Sequence, residues 1–481
     1  VSRRDTRHAS ARGGRFLRWF PVVLVLAVLA AAAATYRFDL GERWLGLGAP
    51  DPSTDPAAVA PPPGLDLPAL AAPRAVAVAA PITPLDPARV RRAVDAALGD
   101  ADLGRHVLAL VAPLDGGEPL LTRGSGVAVP ASTTKLLTTT AALSALGPGH
   151  TFRTSVVAAG RGRIVLVGGG DPFLGSKPAG ATAYPHRADV VTLARATAAA
   201  LEKQGTTTVR LGYDDSLFSG PTFNPHWPAD YGPDDVVSPI TALWVDEGRQ
   251  AGTFDRVPDP SLTAATVFAG ALARNGVNVL GVPKPRRAPT DAVEVAGVDS
   301  APLSQIVEEI LAVSDNEAAE VLGHHVGLAT GGEGSFADGA AGVQRALEAL
   351  GVTFDGARLY DGSGLSRQDR LTPATLAGVL EVAADPDHPE LRAVVTGLPV
   401  AGFTGSLTDR FATGDPEGRG RVRAKTGTLR GVTALAGVAT DRDGHPMVFV
   451  LMADRIDPLE ATDARDALDR VAATLGACRC A

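Results

Sequence analysis

Three short motifs constrain this chain most: "STTK" at Ser132–Lys135, "SDN" at Ser314–Asn316 and "KTGT" at Lys425–Thr428. Ser132 and Ser314 stand 182 positions apart, and Ser314 and Lys425 a further 111. Any fold in which they act together must bring three remote stretches to one place. Composition makes their co-occurrence informative. The 45 basic residues include only five lysines, at 135, 177, 203, 284 and 425, and the chain has four asparagines, at 224, 275, 278 and 316. Two of the lysines and one asparagine fall inside the trio. In a chain that otherwise prefers arginine, a retained lysine marks a position needing an amine able to lose its proton, which a guanidinium does not do.

Taken singly, each motif also reads as ordinary structure: Ser132 and Ser314 as helix caps, Lys425 as a solvated strand charge. The ordered combination favours chemistry. A Ser-x-x-Lys that opens a helix puts the Ser132 N–H at the positive helix end, where a substrate oxyanion is stabilised. Lys135 then lies on the same face. An alcohol needs an adjacent base, and a lysine amine serves if burial and a second cation lower its pKa; Lys425 is the candidate for that cation. Ser314 offers a hydroxyl to relay a proton to a leaving group, and Asn316 an amide suited to holding a peptide bond. The stretch Val422–Thr428 reads as an edge strand along which a substrate lies by β-augmentation. Gly427 is expected to leave room for the ligand backbone, with Lys425, Thr426 and Thr428 gripping a terminal carboxylate.

A chain of 481 residues, 45% hydrophobic, is long enough for about two to four domains. Net charge is -8 and basic residues concentrate only at the N-terminus, so nothing points to nucleic acid. There, six arginines between Arg3 and Arg18 precede the apolar run Phe20–Ala34, an export signal read as a retained signal-anchor or a cleaved signal peptide. A Pro- and Ala-rich stretch from Gly48 to Pro87 reads as an extended tether. Helical periodicity covers Pro87–Leu98, Ser132–Leu146, Ala188–Gln204, Ser261–Asn275, Pro302–Leu311, Asn316–Val326, Val343–Leu350, Pro373–Ala384 and Leu459–Leu475. Strands are expected at 163–170, 206–215 and 278–282, and the last third, with 431–440 and 446–454, is expected to supply an antiparallel sheet and its helices. Cys478 and Cys480 read as an exposed tail pair, free or joined. His324 and His325 are adjacent on a helix and point different ways, so no metal pair is expected there.

The trio resembles that of serine β-lactamases and penicillin-binding proteins. Its first interval is much longer than in a single-domain class A β-lactamase and implies an insertion. On that spacing, and on "GGGDPFL" (Gly168–Leu174), "LGYDDSLF" (Leu211–Phe218), "YDGSGLSRQDRLTP" (Tyr360–Pro373) and "LPVAGFTGSLTDRF" (Leu398–Phe411), the chain from about Val90 to Leu475 is similar to the D-alanyl-D-alanine carboxypeptidase/endopeptidase family. These are the low-molecular-mass, class C penicillin-binding proteins, peptidase family S13. The resemblance implies an α+β, transpeptidase-like fold, an antiparallel sheet covered by helices, with one or more α/β domains inserted between the first two motifs. The implied organisation is a cytoplasmic basic segment (1–19), a signal-anchor or signal peptide (20–35), a linker (36–86), a discontinuous catalytic domain (87–155 and 300–477) and an insertion (156–299).

The resemblance also implies an acyl-serine mechanism in which Ser132 attacks and Lys135 takes its proton. The N–H groups of Ser132 and Thr428 hold the oxyanion, and Ser314 with Lys425 protonates the departing D-alanine. Asn316 holds the peptide, and Thr426 with Thr428 the terminal carboxylate. Peptidoglycan stem peptides are the implied substrates and β-lactams covalent inhibitors, outside the cytoplasm, with membrane contact only through the N-terminal segment and with no metal or other cofactor. Asp171 and the "DGSGLSR" turn are expected to be structural, the latter shaping a wall of the site. Two rivals stay open: a serine β-lactamase, although no "E-x-x-L-N" lies between the first two motifs, and a non-catalytic wall-binding or β-lactam-sensing ectodomain. Carboxypeptidase and endopeptidase action are not separated. The acidic loop Asp230, Asp234 and Asp235, beside Trp227 and Tyr231, reads as solvated or as a contact for a cationic diaminopimelate side chain.

Overall fold

Strands without a polar face need cover on both sides, and the described residues include three: β1 (Val107–Pro113), β10 (Val432–Thr440) and β11 (Pro446–Ala453), almost wholly buried. The computed structural model describes residues 84–481, except 251, 254 and 413. The basic segment, the apolar run and nearly all of the linker expected over 1–86 lie outside the described residues. Among those described, no helix is long and apolar enough to cross a membrane.

Eleven strands are described. With β2 (Leu121–Arg123) and β9 (Val422–Leu429), the three buried strands form an antiparallel sheet in the order β2-β1-β11-β10-β9. The period-two alternation of β11 divides its side chains between two cores. Met447, Phe449 and Leu451 meet α1 (Pro87–Leu98) and the C-terminal helix α10 (Ala461–Ala477) on one face. Val448, Val450 and Met452 enter the larger core under α2 (Thr134–Leu146), α5 (Leu303–Val313), α6 (Asn316–Ala329), α7 (Phe336–Ala349), α8 (Pro373–Ala384) and the short α9 (Arg392–Thr396). The sheet is therefore not the work of the last third alone. Its second strand, β1, comes from the segment before the first motif, a pairing set by contacts across more than three hundred residues, such as Leu110 with Val450.

A second sheet is drawn from residues 153–299, in the order β6-β5-β4-β3-β8 with β7 beside β5. Its strands are β3 (Arg153–Ala158), β4 (Arg163–Val167), β5 (Thr208–Asp214), β6 (Asn278–Val279), β7 (Lys284–Pro285) and β8 (Glu294–Asp299). β5 runs parallel to β4, β6 and β7, whereas β3 is antiparallel to β4 and β8. Helices α3 (Val190–Lys203) and α4 (Pro260–Arg274) bury one face against Ile164, Leu166, Val209 and Leu211. The expected helices sit here at 190–203 and 260–274, each started by an aspartate, Asp189 or Asp259, that accepts from a first-turn N–H. β3 and β8 carry no apolar–polar alternation for the sequence to show: β3 buries Thr154 beside Val156, and β8 is half-buried along most of its length.

Two other departures have local causes. α7 begins at Phe336 rather than near Val343, because Ser335 and Asp338 form a capping box in which aspartate takes the place usually held by glutamate. The terminal cysteines are joined as Cys478–Cys480, and Cys480 is buried, not exposed. The tail folds back: the Cys480 N–H donates to Asp441 Oδ2 at 3.1 Å and its carbonyl accepts from the Asp86 N–H at 2.7 Å.

Candidate active site

The Ser132 hydroxyl, the Lys135 amine and the Asn316 amide meet where α2 and α6 approach each other. Ser132 lies in a single 3-10 turn, Ala131–Thr133, that leads into α2. Ala131 has φ 48°, a left-handed conformation that a β-carbon disfavours. Across from it, Gly364 (φ 83°) has no room for a side chain, since a β-carbon there would lie 1.9 Å from the Ala131 carbonyl oxygen. Two opposed turns thus hold the serine in place.

Lys135 is fully buried at the second position of α2, one turn after Ser132. Its Nζ donates to Ser132 Oγ at 2.9 Å, to Asn316 Oδ1 at 2.7 Å and to the Ser363 carbonyl oxygen at 2.8 Å. All three ammonium hydrogens have an acceptor. Burial pushes the amine down to about 8, while the charges of Asp361, Asp315, Glu320 and Glu317 push the other way. A base that must take a hydroxyl proton near neutral pH needs such a value.

Ser314 and Lys425 form the second half. Lys425 is also fully buried, and its Nζ donates to Ser314 Oγ at 2.7 Å and to the Thr426 carbonyl oxygen at 2.9 Å. Ser314 is not a cap of α6. That role belongs to Asp315, which accepts from the Ala318 N–H at 2.8 Å. Ser314 instead ends α5 in the left-handed region at φ 64°, a strained conformation that presents its hydroxyl to Lys425. Of the two causes expected to lower the Lys135 pKa, burial is the larger; Lys425 is itself held well below its ordinary value by burial, then by the charges of Lys135 and Arg410.

The "KTGT" stretch lies in β9, the edge of the first sheet. The segment 399–401 covers the start of this edge, with the Ala401 N–H on the Val422 carbonyl and the Ala424 N–H on the Pro399 carbonyl. From Lys425 onward its outer main-chain edge makes no backbone hydrogen bond to another described segment. Thr428 is exposed, and Thr426 shares a 3.1 Å hydrogen bond with Ser406. Gly427 differs from expectation: a β-carbon there would sit 2.5 Å from the Pro130 carbonyl oxygen. The glycine lets β9 close against the turn carrying Ser132, so its constraint is internal.

Glu320 was not foreseen from the sequence, and two further participants, Ser363 and Asp361, lie in the "DGSGLSR" turn expected only to shape a wall of the site. Glu320, fully buried one turn after Asn316 on α6, accepts from the N–H groups of Gly362 and Ser363, the latter at 2.8 Å. Burial pushes its carboxyl up to about 8, against those donors. Ser363 turns its carbonyl to Lys135, a main-chain contact that no side-chain pattern reveals. Asp361 accepts from the Gly364 and Ser366 N–H groups at 2.7 and 2.6 Å and from Trp227 Nε1 at 2.8 Å, tying the loop after β5 to this wall.

Asp361→Asn has two expected effects. Its amide would meet donors with a donor, costing roughly 2–3 kcal/mol of stability in denaturant unfolding. Asp361 is also the largest of the charges raising Lys135, so the acid limb of the acylation pH profile moves to lower pH. Of the remaining candidates only Trp227 touches this cluster, through Asp361. Asp171 is buried and accepts from the Phe173 N–H at 2.9 Å, closing a turn. His324 and His325 bond separate carbonyls, of Gly334 at 2.6 Å and Gly170 at 2.9 Å. Trp227 is buried against Asp361, Asp235 accepts from the Arg256 N–H, and Asp230 and Asp234 are exposed.

The fold and this paired serine–lysine site define a protein of the penicillin-binding-protein and serine β-lactamase class. Residues 90–256 and 250–475 match the model of the D-Ala-D-Ala carboxypeptidase 3 (S13) family, and the chain belongs to that family. A carboxypeptidase of Mycobacterium tuberculosis is 37% identical over 82% of this chain and 85% of its own. Carboxypeptidase DacB of Mycolicibacterium smegmatis is 36% identical over 95% of this chain and 96% of its own. Among solved structures, penicillin-binding protein 4 of Haemophilus influenzae superposes with a TM-score of 0.65 at 22% identity, covering 80% of this chain and 99% of that one, a likeness of fold.

Proposed function

We propose that this chain is a serine D,D-peptidase that cleaves peptidoglycan stem peptides outside the cytoplasm, with residues 87–155 and 300–477 as its catalytic domain. The observation that carries this reading is the Lys135 amine, buried and donating at once to Ser132 Oγ and Asn316 Oδ1. In its neutral form Lys135 takes the Ser132 proton as Oγ bonds to the carbonyl carbon of the penultimate D-alanine. The carbonyl oxygen becomes an oxyanion between the N–H groups of Ser132 and Thr428. As the C–N bond breaks, Ser314 gives its proton to the leaving nitrogen and recovers one from Lys425. Asn316 Nδ2 holds the peptide, while Thr426 and Thr428 hold the terminal carboxylate on the open part of β9. Once Lys135 has lost the Ser132 proton to solvent and Lys425 has regained one, water hydrolyses the ester with the neutral Lys135 amine as base.

The same serine opens a β-lactam ring, but the leaving nitrogen stays tethered to the acyl group. The acyl-enzyme therefore accumulates. Incubation with a stem pentapeptide ending in D-Ala-D-Ala is expected to release one free D-alanine per peptide, and benzylpenicillin to add one penicilloyl mass to the intact protein. Failure of both reactions would sink the proposal. Release of D-alanine without a stable adduct would restrict it to the peptidase step.

A further inference from the structure

In the second sheet, α3 and α4 cover the face carrying Ile164, Leu166, Val209 and Leu211. Strand alternation places Arg163, Arg210 and Gly212 on the other face. There the register sets like charges side by side. Arg163 is the direct partner of Arg210 on the neighbouring parallel strand, and Lys284 is the partner of Gly212. Arg286 lies where a Gly212 side chain would be, for a β-carbon there would come within 2.9 Å of Arg286 Cβ. These four cations line a concave cleft of about 610 Å3 that no carboxylate lines.

Like charges opposite one another on adjacent strands cost stability. Elsewhere in the same sheet such a cost is avoided: Arg153 is bound by Glu294 at 2.6 Å and Asp299 at 2.7 Å. Arg163, Arg210, Lys284 and Arg286 are exposed and have no ion pair or side-chain hydrogen bond among the described residues. They also run against a chain whose net charge is -8. Their arrangement is complementary to an anion from outside the chain. We infer that this cleft binds a linear polymer bearing phosphate groups, using Arg163, Arg210, Lys284 and Arg286.

Shape and ligand geometry choose that occupant. A bilayer is planar and leaves the floor of a concave cleft unfilled, whereas an extended chain enters it. The cations are spread along and across strands about 5 Å apart, which suits successive charges better than one small ion. Phosphate oxygens accept guanidinium forks from more than one side, so Arg163 and Arg210 can share one phosphate. The inference stands independently of the acyl-serine chemistry, because none of the four residues belongs to that site.

The test uses the protein spanning residues 84–481, long-chain inorganic polyphosphate as probe, and an Arg163→Gln/Arg210→Gln variant. Both positions are exposed, so the variant is expected to fold and to take up benzylpenicillin like the parent. The parent is expected to bind polyphosphate with an affinity that falls as salt rises. The variant binds about tenfold more weakly, with a salt slope smaller by about two. Equal binding by parent and variant would overturn the inference. So would equal competition by poly-L-glutamate or by monophosphate at the same charge concentration, or tighter binding to phosphatidylglycerol vesicles than to polyphosphate.

Discussion

Ser132→Ala is expected to take up no penicilloyl group from benzylpenicillin and to lose D-alanine release by about 10⁴-fold or more. Neither adjacent threonine is placed to substitute. Thr133 Oγ1 donates to the Pro130 carbonyl at 2.8 Å, and Thr134 Oγ1 is buried. The half-buried site accepts alanine without a clash or an orphaned main-chain group, so the unfolding midpoint should hardly move. Intact mass beside a denaturant curve checks both statements. An adduct that persists on the variant would place the nucleophile elsewhere.

Lys135→Met should slow acylation by roughly 10²- to 10⁴-fold, the range for loss of a positioned general base. Methionine fills most of the buried volume but leaves Asn316 Oδ1 and the Ser363 carbonyl without the amine that now satisfies them. A stability cost of about 1–3 kcal/mol accompanies the change. The pH profile separates chemistry from packing. Only the neutral amine can accept the serine proton, and burial brings that form within reach by lowering the amine to about 8. Parent acylation should therefore rise as pH increases through about 8, and the variant should lack that limb. Acylation rates measured from pH 6 to 10, with circular dichroism to verify folding, decide the matter; a parent profile flat through this range would remove Lys135 from the role of base.

Rare residue types made the site visible in advance. Lysine and asparagine are so scarce that Lys135, Asn316 and Lys425 stood out without any coordinates. Local chemistry was equally plain where a proline follows a capping side chain: α1 starts at Pro87 after Asp86 and α8 at Pro373 after Thr372, each with the bounds expected. Glu320 and the Ser363 carbonyl were hidden for opposite reasons. The first is one acid among many until its burial is known, and the second is a backbone atom that every residue possesses.

The sequence by itself determined which groups are available for chemistry, the long interval that demands an insertion, and the family. These depend on residue identity and on spacing along the chain. Only the tertiary structure decided that Ser314 is the strained C-terminal cap of α5 facing Lys425 rather than the N-cap of α6. It alone decided that Gly427 yields to the Pro130 carbonyl rather than to a ligand, and that β1 inserts beside β11. The physical reason is common to all three. Each depends on desolvation and close approach between stretches far apart in sequence, and neither quantity exists until the chain has folded.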